Sequence, residues 1–351
     1  MTSHGGDDQA KDVGPADAGR SAQPGWLMRT GGPADAGRRE GRGRRRGGQR
    51  GEQLMVPRAE FQSYYGRPVL KEPVWKTPDV PGYLFLGGLA GASSAMAASA
   101  HLAGNRELSR MAKTAALGAI SLSAAALVHD LGRPARFLNM LRVFKVTSPM
   151  SVGSWLLAAY GPVAGAAAAS AVTGRLPRAG AAATAAAGVL GPAIATYTAA
   201  LLADTAVPAW HDAHREMPYL FAGSAASAAG GLAMLAVRPA HAGQAVRFAV
   251  LGAAVELTAK SLLLRRLGPA AEPYQAGLPG KLMETAEVLT AAGLAGAVLA
   301  GRNRAAAAVS GVALLTASAL TRFGIFEAGL ASARDPKYTV GPQRERLRQR
   351  S

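Results

Sequence analysis

Between residues 82 and 327 this chain runs through one long apolar stretch after another, with few or no charges inside them. A helix needs about 20 predominantly apolar residues to cross the roughly 30 Å hydrocarbon core of a bilayer. Eight such stretches can be drawn, at 82–103, 112–128, 152–173, 179–203, 219–237, 246–264, 282–300 and 305–326. They are too long and too continuous for barrel strands, and helices and closed barrels are the spanning structures that satisfy every backbone group in lipid. Charged residues make up 17% of the chain, against about 25% in soluble domains. The polar faces of a soluble helical protein are therefore missing. The stretches are rich in Ala and Gly, and Gly87-Gly88-Leu89-Ala90-Gly91 reads as a small-residue face for close helix contact. The expected fold is all-α, an integral membrane bundle of eight transmembrane helices behind a disordered basic leader.

The leader, residues 1–54, holds ten Lys/Arg, seven Asp/Glu and thirteen Gly, with few large apolar side chains to offset chain entropy. The heptapeptide GPADAGR occurs twice in it, at 14–20 and 32–38, too short a repeat to build a solenoid. Its basic run, 38–46, could bind nucleic acid or anionic lipid, against which stands the reading as a solvated tail or translated upstream sequence. A different text begins at Met55, which is the expected physiological start. The expected division is a leader (1–54), a pre-membrane segment (55–81), the eight-helix domain (82–327) and a basic tail (328–351). An even number of spans puts both ends on one side, and Lys/Arg favour the loops of that side by about two to one. By the positive-inside rule the chain is expected in the plasma membrane, multi-pass, with both termini cytoplasmic.

With no Cys, the chain offers no thiolate site for zinc or an iron–sulfur cluster. Its six His are His4, His101, His129, His211, His214 and His241; none lies mid-span, so no pair is placed to hold a haem inside the bilayer. Polar residues gather in two loops on the terminal side. The first, 129–151, begins His129-Asp130 and contains Arg133, Arg136, Arg142 and Lys145; Phe137, Leu138, Met140, Leu141 and Phe144 suggest an interfacial helix with one apolar face. The second follows the fourth span and holds Asp204, Trp210, His211, Asp212, His214, Arg215 and Glu216, with Tyr197 one to two turns earlier. So many ionisable groups at the end of a span suggest a polar pocket.

The strings HDLGRPARFLNMLRVFKVTSPMSVGSW at 129–155 and YTAALLADTAVPAWHDAHREMPYLFAGSA at 197–225 resemble those of the NrfD/PsrC family, the quinone-interacting membrane subunit of polysulfide-reductase-type complexes. The resemblance runs from about Met55 to 331–340. It implies eight spans, exchangeable quinone (menaquinone or ubiquinone) as the only redox group, a ferredoxin-like iron–sulfur partner and a molybdopterin catalytic subunit, as in anaerobic respiration. The expected function is membrane anchor and quinone-interacting subunit of such an oxidoreductase, not catalytic alone, with no haem, iron–sulfur cluster or metal of its own. Without Cys or a haem pair, electrons must arrive from another protein.

Quinone chemistry needs hydrogen-bonding groups at the carbonyls and a route for two protons. The expected set is Tyr197, Asp204, His129 and Asp130, where the second and fourth spans meet their loops; Tyr197 is the best match to the family's quinone-contacting Tyr. His129 and Asp130 could instead brace the loop. Arg133 and Arg136 are candidates for the quinone site or for docking the iron–sulfur partner. The family's first-span Asn and His have no counterpart in 83–87. In the later spans Glu256 and Lys260 have the order of a favourable helical pair, and Glu284 and Glu287 share a face. These four read as a proton path or, with greater weight, as neutralising pairs between helices. The competing classes are a transporter and a purely structural anchor. Pro162 and Pro192 could break the third and fourth spans, but no convincing repeat relates the two halves.

Overall fold

The computed structural model describes residues 70–133, 135–299 and 303–350. The leader and the expected start at Met55 lie outside the described residues. Within them the chain is all-helical. The helices in chain order are α1 (Asp79–Leu102), α2 (Arg106–Leu131), α3 (Ala135–Met140), α4 (Pro149–Thr173), α5 (Pro177–Ala203), α6 (Pro208–Asp212), α7 (Met217–Ala236), α8 (Gly243–Leu267), α9 (Glu272–Gln275), α10 (Gly277–Leu299), α11 (Arg304–Arg334) and α12 (Lys337–Arg350). Eight of these have 20 residues or more: α1, α2, α4, α5, α7, α8, α10 and α11. Seven combine the length and apolarity to cross a membrane. The eighth, α8, has the length but carries Arg247, Glu256, Lys260, Arg265 and Arg266. All eight expected stretches are thus helices, with ends displaced by a few residues.

Local chemistry sets those ends. Asn105 caps α2 by accepting from Leu108 N at 3.2 Å, and Asn303 caps α11 by accepting from Ala305 N and Ala306 N. Ser148 precedes Pro149 at the start of α4, an arrangement suited to the orphan donors of a first turn. Gly132 and Gly174 close α2 and α4 at φ of +70°. The largest departure is α11, which continues to Arg334 past the expected end at 326. Its added turns are buried through Ala328, Gly329, Leu330, Ser332 and Ala333, because α6 packs there: Ala209 N donates to Ser332 Oγ at 3.2 Å. Pro162 and Pro192 lie inside continuous helices and break neither.

The long helices form two four-helix bundles, α1–α2–α4–α5 and α7–α8–α10–α11. In each, the first helix packs on the second and fourth, the third on the fourth, and the second on the third. The halves are therefore structural repeats, a relationship that the sequence does not display. Four spans per repeat return the chain to its starting side, so the repeats are parallel and not inverted. The α1–α7 contact joins the bundles.

Small residues permit these contacts. Where α1 crosses α5, a Cβ on Gly91 would lie 2.2 Å from Gly191 O, and a Cβ on Gly191 would lie 2.3 Å from Gly91 O. Of the expected small-residue face of the first span, Gly91 makes this crossing, whereas a Cβ on Gly87 would meet Ser123 on α2 and one on Gly88 would meet Ala225 on α7 and Arg322 on α11. On one side of the molecule the described connections are short: 103–105, 174–176 and 237–242. Segment 70–78, α3, α6, α9 and α12 all lie on the other, wide side.

Candidate functional site

Two cavities open at the wide end of the first bundle and share one side chain. The first has a volume of about 250 Å³ and is lined by Trp75, Tyr83 on α1, Leu127, Asp130 and Leu131 at the end of α2, Arg136 and Met140 on α3, Met150, Gly153, Ser154 and Leu157 on α4, and Tyr197 and Leu201 on α5. The second, about 550 Å³, is lined by Tyr197, Ala200, Ala203 and Asp204 on α5, His211, His214 and Pro218, and the approach to α4 from Val146 to Val152. Tyr197 is the wall between them.

The walls of the first cavity are apolar side chains interrupted by two phenols, one carboxylate and one guanidinium. Neither the Tyr83 nor the Tyr197 hydroxyl bonds to another described residue, although Ser123 Oγ donates to the Tyr83 carbonyl at 3.0 Å. Arg136 Nη1 donates to Leu131 O at 2.9 Å, which ties α3 to the end of α2. The roof is aromatic. Trp75 stacks on Trp210 with centroids 5.4 Å apart, and Trp210, fully buried, donates from Nε1 to Ile325 O at 2.8 Å. Tyr274 Oη donates to Ala209 O at 2.7 Å, fixing α6 from beneath.

In the second cavity His211 Nδ1 lies 3.1 Å from Ala203 O, and His214 Nδ1 lies 3.0 Å from His211 O. A carbonyl only accepts, so Nδ1 carries the hydrogen in both rings. Of the polar groups gathered by this loop, Asp204, His211 and His214 line this mostly apolar cavity with Tyr197; Asp212, Arg215 and Glu216 lie outside its lining, and Trp210 belongs to the core.

Of the expected quinone set, Tyr197, Asp130 and Arg136 meet in the first cavity, and Asp204 lines the second. His129 lines neither: its exposed ring bonds through Nδ1 to Asp79 Oδ2 at 2.9 Å, bracing α2 against the start of α1. Arg133 is exposed beside the first cavity and outside its lining. The expected interfacial helix is shorter than read. Only 135–140 are helical, Met140 faces the cavity, and Phe144 lies beyond the helix with its ring edge-on to Trp155. Trp75 and Tyr83 are the missed members. Two large aromatics flanking a Pro-rich entry to the first span were the available signal, since such rings collect at membrane boundaries.

The later-span charges divide differently from the expected pairing. Glu256 does not pair with Lys260. Its carboxylate accepts from Thr321 Oγ1 at 2.8 Å and Ser227 Oγ at 3.3 Å, whereas Lys260 Nζ donates to Glu287 Oε2 at 2.6 Å and Met283 O at 2.7 Å. Four residues on a helix differ by about 40° in direction, enough for α8 to address α7 and α11 with one side chain and α10 with the other. Glu284 is exposed. Arg322 lies beside Glu256, donating to Phe221 O at 2.8 Å with its guanidinium 3.8 Å over the Phe221 ring.

A family model described as polysulphide reductase, NrfD, matches residues 69–252. The chain belongs to the NrfD family. No curated protein matches it. Members of the NrfD family are membrane subunits of oxidoreductase complexes, and this one is accordingly a multi-pass membrane protein. The matched stretch contains every residue lining both cavities. Glu256, Lys260, Glu287 and Arg322 lie beyond it.

Proposed function

We propose that this NrfD-family chain is the quinone-interacting membrane subunit of its oxidoreductase complex, with the quinone ring held in the cavity beneath Trp75. The observation that carries this reading is the pair of phenols, Tyr83 and Tyr197, which line a largely apolar cavity and whose hydroxyls bond to no other described residue. A quinone ring offers a flat apolar body and two carbonyls. The residues fit it: Leu127, Leu131, Met140, Met150, Leu157 and Leu201 would hold the body, and the phenol hydroxyls would donate to a carbonyl. When bound, quinone supplies the two-electron, two-proton redox chemistry. Tyr197 would orient it and, from its place on the wall, exchange its protons with Asp204 in the second cavity. Asp130 supplies a second acid.

Electrons would pass between the quinone and a ferredoxin-like iron–sulfur subunit, which exchanges them with a molybdopterin catalytic subunit. Arg133, Arg142 and Lys145, all exposed, form the docking charges beside the cavity. Both termini are assigned to the cytoplasmic side. The broken spans that a transporter reading looked for at Pro162 and Pro192 are continuous helices, α4 and α5.

Replacing Tyr197 with Phe in the assembled complex tests the reading. Quinone-coupled turnover should fall roughly tenfold or more with the subunits still held together in mild detergent. Unchanged turnover removes Tyr197 from the site.

A further inference from the structure

We propose that the cleft between α7 and α8, on the outer face of the second bundle, is a binding site for an anionic phospholipid. The cleft has a volume of about 420 Å³, and none of its residues lines either cavity of the first bundle. Its sides are large apolar groups held open to the surroundings: Tyr219 and Leu251 are each 66% exposed and Leu262 is 52% exposed. Between them Ala254, Thr258 and Ala259 form a shallow floor. A trough of this kind, facing outward from two membrane helices, is filled by hydrocarbon, because water is absent at that depth. An acyl chain lying in it gains dispersion contact along its length.

The wide-side end of the trough selects the headgroup. Glu216 closes it and is itself occupied by Arg266, which donates from Nε to Oε1 at 2.5 Å and from Nη2 to Oε2 at 2.6 Å. Arg266 also donates to Asp212 O. Two further guanidiniums stand at the same end. Arg265 is one turn beyond Leu262 on the trough-lining face of α8, and Arg215 directly precedes Glu216; both are exposed. Neither bonds to a described residue. They sit where α7 begins and α8 ends, the level of the lipid headgroups, and guanidinium forks match phosphate oxygens. Basic pockets between spans are suited to anionic headgroups. Trough and charges together call for a phosphate joined to an acyl chain.

The test is native mass spectrometry of the full complex in mild detergent, titrated with phosphatidylglycerol, phosphatidylcholine and inorganic phosphate. One phosphatidylglycerol should be retained per chain, in preference to phosphatidylcholine and undisturbed by phosphate. Arg215→Gln with Arg265→Gln should weaken retention about tenfold, the scale of one to two lost charge-assisted bonds. Ala254→Phe, which fills the trough and keeps both charges, should also abolish it. The proposal is overturned if neither variant changes retention, if phosphatidylcholine binds equally well, if phosphate competes while Ala254→Phe has no effect, or if a partner's helix is crosslinked into the trough.

Discussion

The ring of Tyr197 lies against the bare Cα of Gly153, so close that a Cβ there would sit 2.3 Å from Tyr197 Cε2 and 2.8 Å from Cδ2. This contact lets α4 and α5 approach and holds the phenol between the two cavities. Gly153→Ala must therefore push the ring aside or part the helices, at about 1–3 kcal/mol for overpacking. Quinone-coupled turnover should fall at least as far as in Tyr197→Phe, with the complex still assembled. Gly161→Ala is the control, because a Cβ on Gly161 meets nothing within 4 Å. Equal turnover in the two glycine variants would show that the position of the ring is immaterial.

Trp210 connects the cavity roof to the second bundle. It stacks on Trp75, tilts against Phe326 with centroids 5.7 Å apart, and lies flat enough on α11 that a Cβ at Gly329 would fall 1.9 Å from its Cε2. Trp210→Ala is expected to cost about 3–5 kcal/mol and to release Trp75. Trp210→Phe should cost less, keeping an aromatic face and losing the bond to Ile325 O. Thermal melts in detergent check this order; a Trp210→Ala melt equal to that of the parent would deny the indole its role.

The number, place and kind of the long helices were legible in the sequence because lipid leaves a chain so few ways to satisfy its backbone. The lining of the candidate cavity was legible in part. Tyr197, Asp130 and Arg136 stand in strings dense with polar groups, whereas Trp75 and Tyr83 carry only the weaker signal of aromatics at the entry of a span and join the cavity because α1 packs between α2 and α5. The repeat of the two bundles was hidden for a related reason: Ala and Gly meet the packing needs of both halves without preserving any common residue pattern. Lys260 and Glu256 show the limit of spacing rules, since a pair four residues apart yields to partners on neighbouring helices.

That partner choice is testable. Lys260 is buried, with Glu287 and the Met283 carbonyl as its contacts. The Glu287 side chain is 53% exposed and that of Lys260 10%, so removing either member leaves one charge without its partner, whereas removing both leaves none. Glu287→Gln and Lys260→Met should each lower the melting temperature, and the double variant should recover much of the loss. If turnover also survives in the double variant, the pair is neutralising. A double variant that melts normally but fails to turn over would place the pair on a proton path.

Glu216 and Arg266 give the fold an acid-sensitive tie on the wide side. Hydrogen bonds from Arg266 hold the Glu216 carboxyl below the usual carboxylate range, while in the unfolded chain it titrates near about 4.3. The folded state then binds this proton less readily than the unfolded state. The tie is at full strength above the unfolded value, weakens as pH falls through the folded one, and is gone below it. Side-chain exposures of 13% for Glu216 and 31% for Arg266 keep its contribution to about 1 kcal/mol. Glu216→Gln preserves the shape and the Arg266 bond to Asp212 O while removing the charge. Its melting temperature should lie below that of the parent at neutral pH, and the gap should close as the buffer is taken below the carboxylate range. A gap that stays constant with acidification would mean that the charge of Glu216 is not what stabilises this end of α7.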